Sequence, residues 1–125
     1  MRIGVLLSLV LVLGVVEVAA DPAPKLSGTF TNLQYHDDSG DLTGWEVSLI
    51  PQADGSYFAL VQVAEGSAPQ IFTGRATLSA NSVRIVIEGQ GPFSGTYVGT
   101  LKSSELQLTT PSGEVARLSR GSYWK

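Results

Sequence analysis

The chain has 125 residues, no cysteine and a formal net charge of −3, with 43% hydrophobic and 15% charged residues. This length fits one domain, and the absence of cysteine excludes a disulfide framework. The basic residues form no cluster, so we expect neither nucleic acid nor an anionic membrane surface as a partner, because both require grouped Lys and Arg.

Residues 1–20 are typical of a secretory signal peptide. Arg2 supplies a positive start, an apolar run follows, and Val18 and Ala20 place small residues at the −3 and −1 positions of a cleavage site. The apolar run is shorter than the roughly 20 residues of a spanning helix. We predict cleavage near Ala20, a secreted or periplasmic location, and no membrane insertion after cleavage. Residues 21–25 contain two prolines and are predicted to be a short extended leader.

From residue 26 onward, apolar and polar residues alternate. Val83, Ile85 and Ile87, for example, are separated by Arg84 and Val86. A period of two indicates strands with one buried face, and no later stretch shows a helical period. We predict eight strands, at about 26–35, 43–50, 57–64, 70–77, 82–88, 94–102, 105–110 and 115–123.

The segments between these strands are short and rich in Gly, Asp, Ser and Asn, which form turns. Short connections favour an up-and-down meander, and eight such strands close naturally into an antiparallel barrel. The sequence therefore predicts an all-β barrel domain over residues 26–125. A two-sheet β-sandwich is the alternative.

No catalytic constellation is evident. The chain has a single histidine, His36, and no Gly-x-Ser-x-Gly segment. Asp37, Asp38 and Asp41 cluster in a polar stretch where nothing would desolvate a carboxyl group, so we interpret them as turn formers. Weak calcium binding by this acidic turn remains open. We expect no enzyme activity and no cofactor.

Four glycine-containing segments carry a family resemblance. They read GTFTN, GDLTG, FTGR and FSGTYVG, and they cover Gly28–Asn32, Gly40–Gly44, Phe72–Arg75 and Phe93–Gly99. In this order they resemble segments of the avidin and streptavidin family. The resemblance implies an eight-stranded barrel that binds a small molecule at one open end, commonly as a tetramer, so homo-oligomerisation is left open here.

The resemblance also suggests candidate site residues. Asn32 matches an Asn that bonds the ureido oxygen of biotin, and Ser48 matches a hydroxyl position. At other family positions the residue is changed: His36 replaces Ser, Phe93 and Leu108 replace Trp, and Ser122 replaces Asp. Because each unmet buried polar group costs about 1–3 kcal/mol, these changes predict the loss of tight biotin binding. Trp45 is a further candidate, as a wall on which a ligand could stack.

The sequence thus predicts a non-enzymatic extracytoplasmic protein that binds a small neutral ligand at one barrel end, near Asn32, Trp45, Ser48 and Phe93. The alternative is a structural or protein-interaction module of the cell envelope. In that case the barrel interior would be filled by the protein's own side chains.

Overall fold

The computed structural model describes residues 26–124, so the predicted signal peptide and leader lie outside the described residues. The described part contains nine strands. They are β1 (Gly28–Thr31), β2 (Gln34–His36), β3 (Asp41–Pro51), β4 (Tyr57–Gly66), β5 (Gln70–Ser79), β6 (Ser82–Ile87), β7 (Gly95–Leu101), β8 (Glu105–Thr109) and β9 (Val115–Arg120). Within residues 26–124, no helix is long and apolar enough to cross a bilayer.

The strands form one closed antiparallel sheet. Each strand from β3 to β8 pairs with the next along the chain, and β1 pairs with both β3 and β9. β1 and β2 lie end to end along β3 and together act as one bent strand. The fold is therefore an eight-stranded up-and-down barrel, as the sequence predicts, and the β-sandwich alternative is wrong.

Two of the predicted strands are longer than the strands of the structure. The predicted strand over 26–35 is divided because the backbone N–H of Asn32 donates to the carbonyl oxygen of Trp45 at 2.9 Å and its side chain accepts from the Trp45 N–H. The last strand ends at Arg120 rather than at 123, since Gly121 has a φ of 138° and turns the chain away. The other six strands lie close to their predicted positions.

The barrel interior is filled by apolar side chains from all the strands of the closed ring. Alternate residues point inward, which explains the period of two in the sequence. The core cluster is Leu26, Phe30, Trp45, Val47, Leu49, Ala59, Val61, Val63, Ala76, Val83, Ile85, Ile87, Tyr97, Leu101, Leu106, Leu108, Ala116 and Leu118. The described barrel is therefore packed along its axis.

Two glycines of the wall make room for close approach of neighbouring strands. A Cβ atom at Gly99 would lie 1.8 Å from the carbonyl oxygen of Gln107, and one at Gly74 would lie 2.3 Å from that of Val86. Neither oxygen belongs to a flexible side chain, so neither can move aside alone. These glycines are therefore required by the barrel wall itself.

Because neighbouring strands are antiparallel, alternate connections meet at the same end of the barrel. We call the open end the one that carries the β2–β3, β4–β5, β6–β7 and β8–β9 connections. The sealed end carries the β3–β4, β5–β6 and β7–β8 connections and the residues just before β1 and just after β9.

The sealed end is closed by an aliphatic plug and a cation. Leu26 is fully buried immediately before β1. The guanidinium of Arg120 lies 4.5 Å from the ring centroid of Phe30, and its Nη1 donates to the carbonyl oxygen of Ser27 at 2.9 Å. Apolar side chains at this end are therefore covered by protein atoms.

The C-terminal segment, residues 121–124, crosses the outer wall of the barrel. The N–H of Gly121 donates to the carbonyl oxygen of Thr29 at 2.8 Å, and the N–H of Tyr123 donates to the carboxyl group of Glu46 at 2.6 Å. Trp124 Nε1 donates to Gln62 Oε1 at 2.9 Å. The segment thus ties β9 to β1, β3 and β4 across the short β1–β9 pairing.

Candidate functional site

Four aromatic rings gather at the open end. The ring of Phe93, in the β6–β7 connection, lies 5.6 Å from that of Trp45 and 5.1 Å from that of Phe72, between ring centroids. Trp45 in turn lies 5.8 Å from Tyr97. Edge-to-face and tilted geometries at these distances are favourable for aromatic rings. The cluster therefore forms the floor of the open end.

A tyrosine hydroxyl group adds a hydrogen bond that fixes the β6–β7 connection. Tyr97 Oη donates to the carbonyl oxygen of Phe93 at 2.6 Å. Burial raises the pKa of Tyr97 from 10.0 to about 12, because desolvation disfavours the phenolate. The phenol therefore keeps the proton that this hydrogen bond needs.

Above this floor lies a cleft of about 410 Å³. Its apolar lining includes Trp45 and Phe93 of the floor, and its polar lining includes Asn32, Thr43, Glu65 and Glu114. Concave sites with mostly fixed aromatic walls and a few polar groups are typical of small-molecule binding. This open-end cleft is therefore the candidate site.

A larger groove of about 530 Å³ runs along the outer wall over β5, β6, β7 and β8. Its lining consists largely of hydroxyl-bearing and aliphatic side chains on a solvent-facing sheet, including Thr77, Ser82, Val98 and Thr100. No aromatic ring among residues 26–124 lines it. The open-end cleft is smaller, but it is lined by the aromatic rings of Trp45 and Phe93, on which an organic molecule can stack.

The structure brings three of the predicted site residues together. Asn32, Trp45 and Phe93 all line the open-end cleft. The role of Asn32 differs from the one that the family resemblance implies, because its Oδ1 accepts a hydrogen bond from the Trp45 N–H at 2.6 Å. Its amide oxygen therefore fixes the bend between β1 and β2.

The other four predicted residues do not line the cleft. Leu108 is 2% exposed in the core. Ser48 lies on the outer wall, where its Oγ is 3.0 Å from Thr29 Oγ1. The predicted position of Ser48 at the open end is wrong. Side chains alternate along a strand, and Trp45, Val47 and Leu49 of β3 point inward, so Ser48 points outward.

His36 and Ser122 lie in different places again. His36 Nε2 is 2.8 Å from Thr43 Oγ1, so the imidazole supports a wall residue of the cleft without lining it. Ser122 Oγ donates to both oxygens of the Glu46 carboxyl group at 3.2 Å. Ser122 therefore fastens the C-terminal segment, because the chain leaves the barrel ladder at Gly121.

The residues that sequence reasoning missed are Thr43, Glu65 and Glu114, which all line the cleft. Glu65 and Glu114 are 49 positions apart in the chain. The predicted up-and-down topology could have indicated them. Alternate connections of a meander meet at one end of the barrel, so residues beside the β4–β5 and β8–β9 connections are expected to lie near each other.

The acidic turn does not converge on a metal site. Among residues 26–124, no three His, Asp or Glu side chains are close enough together to hold a metal ion. Asp37, Asp38 and Asp41 are exposed around the β2–β3 turn, where the N–H of Gly40 donates to the carbonyl oxygen of His36 at 2.7 Å.

Comparison with known proteins found no matching family model, no matching curated protein and no matching solved structure. The fold alone selects no activity, since small barrels host many unrelated functions. A function for this chain must therefore be inferred from the open-end cleft and its residues.

Proposed function

We propose that this protein is a non-enzymatic binding protein that takes a small organic molecule into the open-end cleft. The observation that carries the proposal is the convergence of Trp45 and Phe93 with the polar side chains of Asn32 and Thr43 around one concavity. Rigid rings supply contact area, and a few polar atoms orient the ligand. An extracytoplasmic location is part of the proposal and depends on the predicted signal peptide.

The filled interior limits how the ligand would sit. Val61 and Ile85 are fully buried in the core below the aromatic floor, so the ligand would lie across the mouth and not inside the barrel. Tight biotin binding is not part of the proposal, since Leu108 and Ser122 provide no polar contact to the cleft. The resemblance to the avidin family is compatible with the barrel and with this end as the site.

A matched pair of phenylalanine variants tests the proposal. Phe93 lines the cleft, whereas Phe58 is exposed on the outer wall of β4. In a thermal-shift screen of vitamins, amines, lipids and other small metabolites, we expect at least one compound to raise the melting temperature of the wild-type protein. Phe93→Ala should abolish that shift, and Phe58→Ala should retain it. Equal shifts in both variants would place binding elsewhere.

A second candidate function is a structural or interaction module of the cell envelope. The observation that favours it is the continuous apolar core, which fills the interior of the described barrel with the protein's own side chains. In that case no compound in the screen shifts the melting temperature, and both phenylalanine variants behave alike in every ligand assay. The two candidates therefore give opposite results in the same experiment.

A further inference from the structure

The charged residues of the barrel are unevenly distributed between its two ends, although Asp54 and Glu105 are acidic residues of the sealed end. Six carboxyl groups lie in or beside the connections of the open end: Asp37, Asp38, Asp41, Glu65, Glu88 and Glu114. The basic residues within 26–124 all lie on the wall or at the sealed end, and they are Arg75, Arg84, Lys102, Arg117 and Arg120. The open end is therefore strongly electronegative, although the net charge of the chain is only −3.

Two of these carboxyl groups belong to the candidate site itself. Glu65, near the end of β4, and Glu114, just before β9, both line the open-end cleft. None of the described residues that line the cleft is Lys, Arg or His. An anionic ligand would therefore meet like charge with no counter-ion, whereas a cation would be attracted from solution and held.

The aromatic residues of the cleft also favour a positively charged ligand. The rings of Trp45 and Phe93 meet at an interplanar angle of 88° within the cleft lining. The negative face of an aromatic ring attracts a cation, most strongly for Trp. A site that joins aromatic walls with carboxylates suits an ammonium group attached to an apolar body.

A metal ion fits this cleft less well. Hard divalent cations require several converging oxygen ligands, and no three acidic or histidine side chains converge within residues 26–124. The apolar part of the lining, including Val63, Val115 and Ala116, would contribute nothing to a bare ion. It would instead pack against the carbon atoms of an organic ligand.

We infer that the ligand class of the open-end cleft is a small organic cation, an amine or quaternary ammonium compound with an apolar body, held between the carboxylates of Glu65 and Glu114 and the rings of Trp45 and Phe93. This inference rests on the proposed function and makes it specific. It departs from the neutral ligand expected from sequence, because Glu65 and Glu114 had no assigned place at the mouth.

Three probes of similar size and different charge test the inference: phenethylamine, phenethyl alcohol and phenylacetate. Their dissociation constants are measured by titration calorimetry with the purified chain. We expect phenethylamine to bind at least about tenfold more tightly than the alcohol, equivalent to about 1.4 kcal/mol, and phenylacetate to bind more weakly than either. Binding of the amine should weaken with added salt, because screening reduces the attraction.

Carboxyl-to-amide variants locate the effect. Glu65→Gln and Glu114→Gln should each weaken phenethylamine binding about threefold, as expected for an exposed charge pair, and leave binding of the alcohol unaffected. The matched control is Glu105→Gln, in β8 near the sealed end, which should change neither. Phe93→Ala should weaken all binding at this site.

The outcomes separate a failure of the inference from a failure of the proposed function. If the alcohol binds as tightly as the amine and the two amide variants have no effect, the cation inference is overturned and the cleft remains a binding site. If none of the three probes binds while other compounds in the screen do, the inference also fails alone. If no compound binds at all, the proposed function fails with it.

Discussion

At the sealed end of the barrel, Leu26 is fully buried and the guanidinium of Arg120 covers the ring of Phe30, whereas at the open end the rings of Trp45 and Phe93 border a cleft. Both ends belong to one continuous sheet, and the connections at both are short. The difference lies in how the side chains beside the connections are arranged. At the sealed end Leu26 and the Phe30 ring are covered, whereas at the open end aromatic rings and the carboxyl groups of Glu65 and Glu114 line a cleft.

The sealed end is expected to contribute most to the stability of the barrel, and the open end is expected to bind the ligand. Burial of aliphatic surface is the main source of stability, and it is most complete toward the sealed end. At the open end, Phe72 and Phe93 are only partly buried, so their rings contribute less to stability but present surface that a ligand can use. Stability and binding should therefore respond to different substitutions.

The largest expected effect comes from Leu118→Ala. Leu118 is 0% exposed and pairs with Leu106 in the sealed half, so the variant should lose about 2–5 kcal/mol in the free energy of unfolding. Phe93→Ala should cost less, despite removing more atoms, because Phe93 is only partly buried. Urea denaturation followed by circular dichroism measures both. An equal loss in the two variants would contradict the division between the ends.

Next in size is Gly99→Ala, which tests the wall that joins the two ends. The added methyl would lie 1.8 Å from the Gln107 carbonyl oxygen, so β7 and β8 must move apart at a cost of about 1–3 kcal/mol or more. The control is Gly91→Ala in the open-end β6–β7 connection, where the nearest atom, Ser94 Oγ, is 3.8 Å away. That variant should stay within about 0.5 kcal/mol of wild type. A neutral Gly99→Ala would mean that the strands are not so tightly apposed.

Arg120→Met tests the cation that closes the sealed end. The variant keeps an unbranched apolar side chain over Phe30 but removes the charge and the donor to the Ser27 carbonyl oxygen. We expect a loss of about 2 kcal/mol in unfolding free energy, with ligand binding at the open end unchanged. A change in affinity without a change in stability would show that the two ends are coupled.

Most of the architecture could be predicted from the sequence because the physics of strands is local. The alternation of Val83, Ile85 and Ile87 predicts a one-sided strand, and β6 has that pattern of burial. The same alternation in β3 places Ser48 on the outer face if Trp45 points inward. The prediction that Ser48 lies at the open end followed the family resemblance and disregarded this alternation.

The rest depends on contacts between residues that are far apart in the chain. Nothing in the local sequence predicts that Ser122 and Tyr123 would bind Glu46, 76 and 77 positions earlier. Nor does it predict that Glu65 and Glu114 would face one cleft. Asn32 is an intermediate case, because it lines the open-end cleft but its side-chain oxygen accepts the Trp45 N–H and bends the strand.

The smallest predicted effect is at the open end, where Tyr97→Phe removes the hydroxyl that holds the Phe93 carbonyl oxygen. We expect a loss of about 0.5–1.5 kcal/mol at neutral pH and weaker ligand binding, because Phe93 is less well positioned. Differential scanning calorimetry gives the first quantity and titration with the bound compound gives the second. Unchanged affinity with reduced stability would make this hydrogen bond purely structural.

The contribution of Tyr97 to the free energy of unfolding should fall as the pH rises. The pKa of Tyr97 is about 12 in the folded protein and 10.0 normally, so the folded state favours the protonated phenol. Its contribution to stability is fully present below pH 10.0 and is lost as the pH rises toward 12. Tyr97→Phe should lose less stability than wild type over that interval. If ultraviolet difference absorbance showed that the Tyr97 phenol ionises near pH 10.0, the buried position that anchors the open end would be contradicted.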